Sequence, residues 1–413
     1  MRSIAGHVLT QARQHGWRAV TTKVLQKTAV KALENLAWAE PTLPLRPEDI
    51  MDAEVPSSVD SPRPRTGPLE VGWVCTPPGP GSGGHTTFFR MVQGMAERGH
   101  RCTLFLYDRN SDDVSRHAPV IRQYWPDVDA HIRSVAEGFE GMDAVVASSW
   151  PTAYATANRR GRDIHSFYFI QDYEPYFYPR GTLYWLAENS YRLGFTNIAL
   201  GEMITAVMKA EIAQVPAATV PFACDTATYR LLDGKGSQPP RQGVVHYAKR
   251  AVDRRGYLLA KLALEQFHSM HPEQEIHVYG DRITGWSIPV INHGNLSPAE
   301  LNELYNRTIA GLAISFTNIS LVPEELLAAG NVPVLNESAF AAQVMRDPDV
   351  MWAPATPRRL AEALAQAVEA PNISARAAAI AQRRRLDWSV SRENFATVLE
   401  SVCAREPGSP GLS

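Results

Sequence analysis

The segment Leu312–Leu335 combines residue types that could hold a phosphate. An apolar run typical of a β-strand, Leu312–Phe316, precedes a short polar turn. Pro323 and the Glu324–Glu325 pair then open a helix that ends at a glycine, and a second strand, Val332–Leu335, follows directly. The free N–H groups and the positive dipole end at such a helix start suit an anion. The alternative is a crossover with a purely structural role.

A glycine-rich turn follows the first predicted strand, Leu69–Thr76, and contains Gly79, Gly81, Gly83 and Gly84. A predicted helix, Thr86–Arg98, begins just after the turn. Glycines at this place would let a phosphate or a sugar approach the backbone closely. The spacing GPGSGGH is not the GxGxxG fingerprint of dinucleotide sites. A tight turn without a ligand is the alternative. His85 could bond such a phosphate or sugar, or it could be an ordinary loop histidine.

Carboxylates and tyrosines follow the buried strand His165–Ile170 in the run QDYEPYFYPRG. Ligands of open parallel sheets bind at the carboxyl ends of the strands, where this run lies. Aromatic rings suit the C–H faces of a sugar, and polar groups suit its hydroxyls. We therefore expect a sugar to bind at Gln171, Asp172, Tyr173 and Glu174. A packed loop is the alternative for the aromatic residues, which include Tyr176, Phe177 and Tyr178.

Strands alternate with helices on both sides of a Gly/Pro/charge-rich break at residues 233–242. This pattern predicts an α/β fold with two Rossmann-like domains, 67–222 and 223–386, and a terminal helix at 387–405. Residues 1–66 are predicted to be a helical extension followed by a Pro-rich linker.

Composition limits the class of protein. With 413 residues the chain favours two domains, and a net charge of −2 argues against broad nucleic-acid binding. Cys75, Cys102, Cys224 and Cys403 have no CxxC spacing, so we expect free thiols in a reducing cytosol and neither a zinc site nor a disulfide framework. No apolar run reaches the ~18–20 residues that span a bilayer, and no signal peptide is evident. These features predict a cytoplasmic protein.

The N-terminal 39 residues are basic and have apolar residues at loosely helical intervals. Their charged residues are Arg2, Arg13, Arg18, Lys23, Lys27, Lys31 and one acid, Glu34. Such a helix could lie on the inner, anionic membrane surface as a peripheral contact. It could equally pack on its own protein or on a partner subunit.

Five stretches together resemble a GT-B glycosyltransferase, and more narrowly the family 4 retaining enzymes and their WsaF-type rhamnosyltransferases. They are GSGGHTTFFRMVQGMAERGH, FIQDYEPYFYPRG, HYAKRAVDRRGY, HGNLSPAELNELY and LVPEELLAAGNVPVL. The resemblance covers about residues 69–400 and implies two domains facing across a cleft, with a terminal helix returning to the first domain. It implies an acceptor in the amino-terminal domain, bound by Gln171, Asp172, Tyr173 and Glu174, and a nucleotide-sugar in the carboxyl-terminal domain. Gly83, Gly84 and His85 would close on that donor.

Family 4 enzymes carry two glutamates eight residues apart, of which Glu325 matches the second and would bind the ribose. The first falls on Thr317, which can bond a sugar hydroxyl but carries no charge. The N–H groups near Ile319–Val322, including those of Ser320 and Leu321, would still point at the donor.

The resemblance also places two cations after the first strand of the second domain, where Lys249 and Arg254 match, with Arg250 and Arg255 beside them. Fixed cations would stabilise the diphosphate leaving group without a metal. A solvated basic turn is the alternative. In the retaining mechanism that the resemblance implies, the donor phosphate helps to deprotonate the acceptor.

Two further positions bear on the chemistry. Asp172 could accept a proton or orient the acceptor, or it could cap the next turn. His246 and His293 end strands and are predicted to be structural.

The expected reaction is transfer of a deoxyhexose, rhamnose from dTDP-rhamnose, to a glycan or lipid-linked acceptor, with no cofactor besides the donor. A UDP- or GDP-sugar donor is one alternative. A non-catalytic sugar-binding or scaffold subunit, made conceivable by Thr317, is another. An epimerase or dehydrogenase is disfavoured because the dinucleotide fingerprint is missing.

Overall fold

The computed structural model describes residues 43–52, 62–232, 240–319 and 321–405. It is an α/β structure built on two all-parallel sheets. The predicted helix within residues 1–39, the position of Ser320 and most of the internal break fall outside the described residues. Within the described ranges, no helix combines the length and the apolar character needed to cross a bilayer.

The first sheet has seven strands in the order β3-β2-β1-β4-β5-β6-β7. Their bounds are Glu70–Cys75 (β1), Arg101–Leu106 (β2), His131–Ser134 (β3), Ala144–Ala147 (β4), His165–Ile170 (β5), Thr196–Leu200 (β6) and Ala218–Val220 (β7). The central strands are nearly continuous apolar runs because helices cover both faces of a parallel sheet. The helices of this first lobe are Gly83–Glu97 (α1), Ala118–Tyr124 (α2), Trp150–Arg159 (α3), Thr182–Asn189 (α4) and Glu202–Ile212 (α5).

The second sheet has six strands in the order β10-β9-β8-β11-β12-β13. Their bounds are Val244–Ala248 (β8), Ile276–Gly280 (β9), Ile291–Gly294 (β10), Ala310–Leu312 (β11), Val332–Asn336 (β12) and Met351–Ala353 (β13). The helices of this second lobe are Tyr257–Met270 (α6), Pro298–Arg307 (α7), Leu321–Ala328 (α8), Ala339–Val344 (α9), Pro357–Glu369 (α10) and Ile373–Ala381 (α11). Short 3₁₀ turns lie at Pro47–Asp49, Ser115–His117, Val135–Glu137, Glu174–Phe177, Ser190–Arg192 and Asp253–Arg255.

Both sheets reverse their strand order beside their first strand. β1 lies between β2 and β4, and β8 lies between β9 and β11. Such a reversal opens a crevice at the carboxyl ends of the strands, which is where ligands of this architecture bind. The glycine-rich turn follows β1, Gln171 follows β5, and Lys249 follows β8. The predicted site residues therefore lie at the edges that can bind a ligand.

A terminal helix, Trp388–Cys403 (α12), packs on the first lobe as expected. The Phe395 ring lies 5.5 Å from the Trp73 ring and 5.1 Å from the Phe169 ring, centre to centre. A Cβ at Gly94 would lie 2.8 Å from the Cβ of Arg392, so only glycine allows α1 and α12 to approach this closely. Their shared core ties the end of the chain to its first sheet.

Several secondary-structure elements differ from the predictions made from the sequence. The strand expected at Leu312–Phe316 is Ala310–Leu312, because the N–H of Ser315 bonds the Asn336 side chain and that of Phe316 bonds the Arg254 carbonyl instead of a neighbouring strand. Helix α8 begins at Leu321, before Pro323. Strand β13 and helix α9 had no predicted counterpart.

Part of the predicted linker is packed. The Asp49 carboxylate is fully buried against the first lobe, where it accepts hydrogen bonds from the Tyr107 hydroxyl at 2.6 Å and from Arg159. Leu45 is buried as well. The prediction of a free linker is therefore wrong for this short segment.

The four cysteines are free and buried, as expected. Burial raises the pKa of the Cys75 thiol to about 12 and that of Cys102 to about 11. Both thiols are therefore protonated near neutral pH and are poor nucleophiles.

Candidate functional site

The two lobes meet where the loop after β5 contacts the loop after β11. The Asn318 side chain donates a hydrogen bond of 2.7 Å to the carbonyl of Gln171. The Thr317 hydroxyl donates one of 3.0 Å to Oδ2 of Asp172. Thr317 is 5% exposed and Asp172 is 9% exposed. The sequence predicted both loops as site loops, and the structure brings them together.

One carboxylate oxygen of Asp172 has no hydrogen-bond partner within the described part of the chain. Its Oδ1 is buried, whereas its Oδ2 accepts the Thr317 hydrogen bond. Burial raises the pKa of this carboxyl group, while the charges of Arg254 and Arg255 act in the opposite direction. Asp172 therefore lies in the field of the cations that the sequence singled out.

Arg254 reaches across to the first lobe. Its guanidinium carbon lies 4.3 Å from the centre of the Phe177 ring, and its buried Nη1 has no hydrogen-bond partner among the residues that the structure describes. Arg255 donates a 2.9 Å hydrogen bond to the Ser315 hydroxyl. Burial lowers the pKa of Arg255 to about 10, which leaves it charged at neutral pH.

Lys249 lies at the carboxyl end of β8, half-exposed, with its Nζ 3.3 Å from a carboxylate oxygen of Asp281. Asp281 also accepts a 2.8 Å hydrogen bond from the Arg250 N–H. The hydrogen bond from the Arg250 N–H lowers the pKa of Asp281, and Lys249 lowers it further. The structure thus gives Lys249 an acidic partner within its own lobe, while Arg254 contacts the other lobe.

The glycine-rich turn lies close to the start of α8. A Cβ at Gly83 would be 3.8 Å from the Leu321 side chain, and a Cβ at Gly84 would be 4.0 Å from the Gln171 side-chain oxygen. The turn, the loop after β5 and the helix start therefore border one region. Ser320, which was predicted to contribute a donor contact there, falls outside the described residues.

His85 is engaged within its own turn. Its Nε2–H donates to the carbonyl of Thr76 at 2.9 Å, because a carbonyl can only accept, and its Nδ1 then accepts from the Ser82 hydroxyl at 2.7 Å. Burial lowers the pKa of this imidazole. The geometry favours the loop-histidine alternative, in which His85 holds the turn and offers no free nitrogen to a ligand.

Glu325 faces the first lobe. It is half-buried, and burial raises the pKa of its carboxyl group to about 7, while Arg90 of α1 acts in the opposite direction. Arg90 also lies 3.5 Å from a carboxylate oxygen of Asp225 and 4.9 Å from the centre of the Trp388 ring. Sequence reasoning missed Arg90, although a single cation within the apolar run FFRMV was a visible signal.

Tyr173 and Glu174 point into the first lobe and are 1% and 8% exposed. Glu174 accepts a 2.6 Å hydrogen bond from the N–H of Trp150 at the start of α3, and Tyr173 donates one of 3.2 Å to Glu188. Burial raises the pKa of Glu174 to about 8. The predicted acceptor contact by these two side chains has no support in this geometry, which favours the packed-loop alternative.

The two predicted structural histidines have partners inside the second lobe. His246 donates from Nδ1 to the carbonyl of Leu312 at 2.9 Å, and burial lowers its pKa to about 4. His293 lies 2.9 Å from a ring nitrogen of His277.

Residues 136–203 match the family model described as the WsaF N-terminal domain. The O-antigen biosynthesis protein RfbC of Myxococcus xanthus is 28% identical over 282 residues. That alignment covers 61% of this chain but only 20% of the relative, so the chain spans about a fifth of the length of the curated relative it matches.

Similarity to solved structures identifies the fold. Anabaena HepE, described in complex with UDP and glucose, aligns with 81% of this chain and 100% of its own at a TM-score of 0.63 and 14% identity. WaaG, a glycosyltransferase of lipopolysaccharide biosynthesis, aligns with 79% of this chain and 99% of its own at a TM-score of 0.54 and 15% identity. The fold is GT-B, and the chain resembles the WsaF-type glycosyltransferases.

The WsaF-like region includes the loop that carries Gln171 and Asp172, together with β5 and α4. It contains the run QDYEPYFYPRG, one of the five stretches that carry the resemblance. The GT-B fold alone does not decide the reaction, since a putative UDP-N-acetylglucosamine 2-epimerase of Listeria monocytogenes also aligns, at a TM-score of 0.55 and 9% identity over 81% of this chain and 96% of its own. The side chains at the interlobe loops, and not the fold, bear on the reaction.

Proposed function

We propose that this chain is a retaining glycosyltransferase that moves a deoxyhexose, rhamnose from dTDP-rhamnose, to a glycan or lipid-linked acceptor in polysaccharide biosynthesis. The observation that carries the proposal is Arg254, a cation that contacts the first lobe, acts electrostatically on the Asp172 carboxyl group and has a buried N–H group with no partner among the described residues. The WsaF match and the O-antigen relative support a transferase acting on surface glycans.

In this proposal the diphosphate of the donor lies between the start of α8 and the cations after β8. Arg254 and Lys249 stabilise the negative charge that develops as the glycosidic bond breaks. Glu325 accepts hydrogen bonds from the ribose. Approach of the lobes brings the glycine-rich turn onto the donor and excludes water that would hydrolyse it.

The reaction needs no metal in this proposal, because two fixed cations neutralise the leaving group. Transfer should therefore persist in excess EDTA. Loss of transfer in EDTA, with recovery on addition of Mg²⁺, would contradict that part of the proposal.

The donor is tested by product formation with dTDP-rhamnose, UDP-glucose and GDP-mannose, each with a glycan acceptor. We expect transfer from dTDP-rhamnose. HepE is described with UDP, so a uridine donor is the second candidate. Transfer only from a UDP- or GDP-sugar would keep the enzyme class and overturn the donor assignment.

The assignment of the cations is tested by replacing Lys249 and Arg254 with alanine, singly and together. A transferase should lose at least two orders of magnitude in kcat/KM while keeping its thermal stability, because charge stabilisation at the leaving group is lost. Lys261→Ala is the matched control, since Lys261 pairs with Glu265 on α6 at 3.0 Å. A scaffold protein would bind its glycan unchanged in all variants and would form no product.

A further inference from the structure

Trp150 contacts the 3₁₀ turn Glu174–Phe177 at both of its ends. Its backbone N–H, at the start of α3, donates a 2.6 Å hydrogen bond to Oε2 of Glu174, the first residue of the turn. Its indole N–H donates one of 3.1 Å to the hydroxyl of Tyr178, the residue directly after the turn. Trp150 is itself buried in the first lobe. Phe177, the last residue of the turn, therefore lies between two points that are fixed to the lobe.

Glu174 also fixes the chain that enters the turn. Its backbone N–H donates a 3.0 Å hydrogen bond to the hydroxyl of Tyr191, and that hydroxyl donates one of 3.3 Å to the carbonyl of Asp172. The hydroxyl of Tyr168 lies 3.4 Å from Oε2 of Glu174. Both tyrosines are buried. The side chain and the backbone of Glu174 together hold the course of the loop after β5.

The ring that this turn carries is the one that Arg254 contacts. The guanidinium carbon of Arg254 lies 4.3 Å from the centre of the Phe177 ring. Phe177 is only half-buried, so its position depends on the backbone of the turn more than on a surrounding core. A movement of the turn would therefore take the aromatic face away from the cation.

The buried carboxyl group of Glu174 is neutral at pH 7. Burial raises its pKa to about 8, and the charge of Asp172 raises it further, while Arg254 acts in the opposite direction. The titratable and charged groups that face it are Asp172, Arg254, Tyr168, Tyr178 and Tyr191. Burial raises the pKa values of the three tyrosines, so their hydroxyls stay protonated while Glu174 titrates. Ionisation would place a charge among buried aromatic rings, and opening of the turn to water would relieve that cost.

Resting on the proposed function, we propose that Glu174 is a positioning residue for Arg254, because with Trp150 it holds the turn that presents the Phe177 ring to the guanidinium. Glu174 itself touches neither donor nor acceptor. When its carboxyl group releases a proton to water, the turn opens, the ring leaves the cation and the donor binds less tightly. Activity therefore has an alkaline limit that is set by a group outside the reaction centre.

The test is the pH profile of kcat/KM with the active donor, in the parent chain and in Glu174→Gln, which keeps an oxygen for the Trp150 N–H and cannot ionise. Parent activity should fall above pH 8, by about tenfold at one pH unit beyond the pKa of Glu174, through a higher donor KM. Glu174→Gln should equal the parent chain near pH 7 and keep that activity at pH 9. Glu188→Gln is the matched control and should keep the alkaline fall, because Glu188 is also buried in the first lobe but bonds Tyr173.

Two further variants separate positioning through the ring from a general effect on the fold. Phe177→Leu should reduce the alkaline fall to less than about twofold, because the contact that the titration breaks is already absent. Tyr178→Phe removes the oxygen that accepts the indole N–H of Trp150. It should lower kcat/KM by about fivefold at every pH without moving the alkaline limit.

Amide hydrogen exchange across residues 171–178, compared at matched pH, follows the turn without turnover. The parent chain should exchange faster than Glu174→Gln at pH 9 and equally at pH 6. Equal exchange at pH 9 overturns the proposal, as does a parent profile that stays flat to pH 9. An alkaline fall that persists in Glu174→Gln or in Phe177→Leu overturns it as well. Faster exchange in a chain that transfers sugar from none of the donors would support the pH-dependent turn and remove the proposed function.

Discussion

The guanidinium carbon of Arg254 lies 4.3 Å from the centre of the Phe177 ring, and the two residues belong to different lobes. Phe177 comes from the 3₁₀ turn after β5, and Arg254 from the 3₁₀ turn after β8. The aromatic face attracts the cation and restricts its orientation without using its N–H groups. The stack can therefore position Arg254 for anion binding.

Phe177→Leu should weaken catalysis without unfolding the protein. Loss of a cation–π contact of about 0.5–2 kcal/mol corresponds to a fall of roughly 2- to 30-fold in kcat/KM, with the donor KM raised because Arg254 is less well positioned. Steady-state kinetics with the active donor measure this effect. The control is Phe195→Leu, which removes a similar stack of Arg160 on Phe195 at 4.7 Å inside the first lobe. Equal kinetics in the two variants would argue against the positioning role.

Replacing Gly83 or Gly84 with alanine should leave the fold stable but weaken binding of the donor. The added Cβ would be 3.8 Å or more from its neighbours at either position, and alanine favours a helix start over glycine, so the melting temperature should stay equal or rise. The same Cβ would occupy space that a donor needs, and the donor KM should rise on the order of tenfold.

Gly311→Ala is the contrasting variant. Its Cβ would lie 2.4 Å from the Leu326 side chain, so it should lower stability by about 1–3 kcal/mol. Thermal melts measure the loss of stability expected for Gly311→Ala, and donor KM values measure the weaker donor binding expected for the alanine variants of Gly83 and Gly84. Unchanged donor binding in both turn variants would show that no ligand approaches that backbone.

Glu174 should make stability depend on pH in a defined direction. Burial raises the pKa of its carboxyl group from 4.5 to about 8 in the folded chain, so the folded state holds a proton that the unfolded state has released between these values. The free energy of unfolding therefore falls as pH rises through that window, by at most about 1.4 kcal/mol per unit from this group. Urea denaturation at several pH values measures the slope.

Two variants isolate this contribution. Glu174→Gln keeps an oxygen for the Trp150 N–H and stays neutral, so its stability relative to the parent chain should increase from pH 5 to pH 8. Glu174→Ala leaves that N–H unpaired, so it should be about 1–3 kcal/mol less stable than Glu174→Gln at every pH, because neither variant titrates at this position. A constant difference between the glutamine variant and the parent chain would mean that Glu174 does not titrate in this range.

The terminal helix should be needed for the stability of the first lobe. Phe395 is fully buried between Trp73 and Phe169, and Phe395→Ala should cost about 3–5 kcal/mol through the cavity it leaves. Val390→Ala on the same helix changes an exposed side chain and should stay within about 0.5 kcal/mol. Chemical denaturation followed by tryptophan fluorescence compares them. Equal losses would indicate that α12 is only loosely attached.

Much of the fold could be read from local patterns. Strand β5 has the predicted bounds, since an apolar run depends on nearby residues alone. The strand predicted at Leu312–Phe316 begins two residues earlier and ends four earlier, because the groups that bond Ser315 and Phe316, Asn336 and Arg254, are distant in sequence. Local propensity carries no information about such partners.

The sequence by itself determined which loops carry the chemistry: the glycine-rich turn, the loop of Asp172 and the basic turn with Arg254 all follow parallel strands. Only the tertiary structure decided which side chains of those loops face the other lobe. Asp172 meets Thr317, 145 residues away, while its neighbours Tyr173 and Glu174 turn into the core. The physical reason is that the direction of a loop side chain depends on the partners that satisfy its polar atoms, and those partners become neighbours only when the lobes pack.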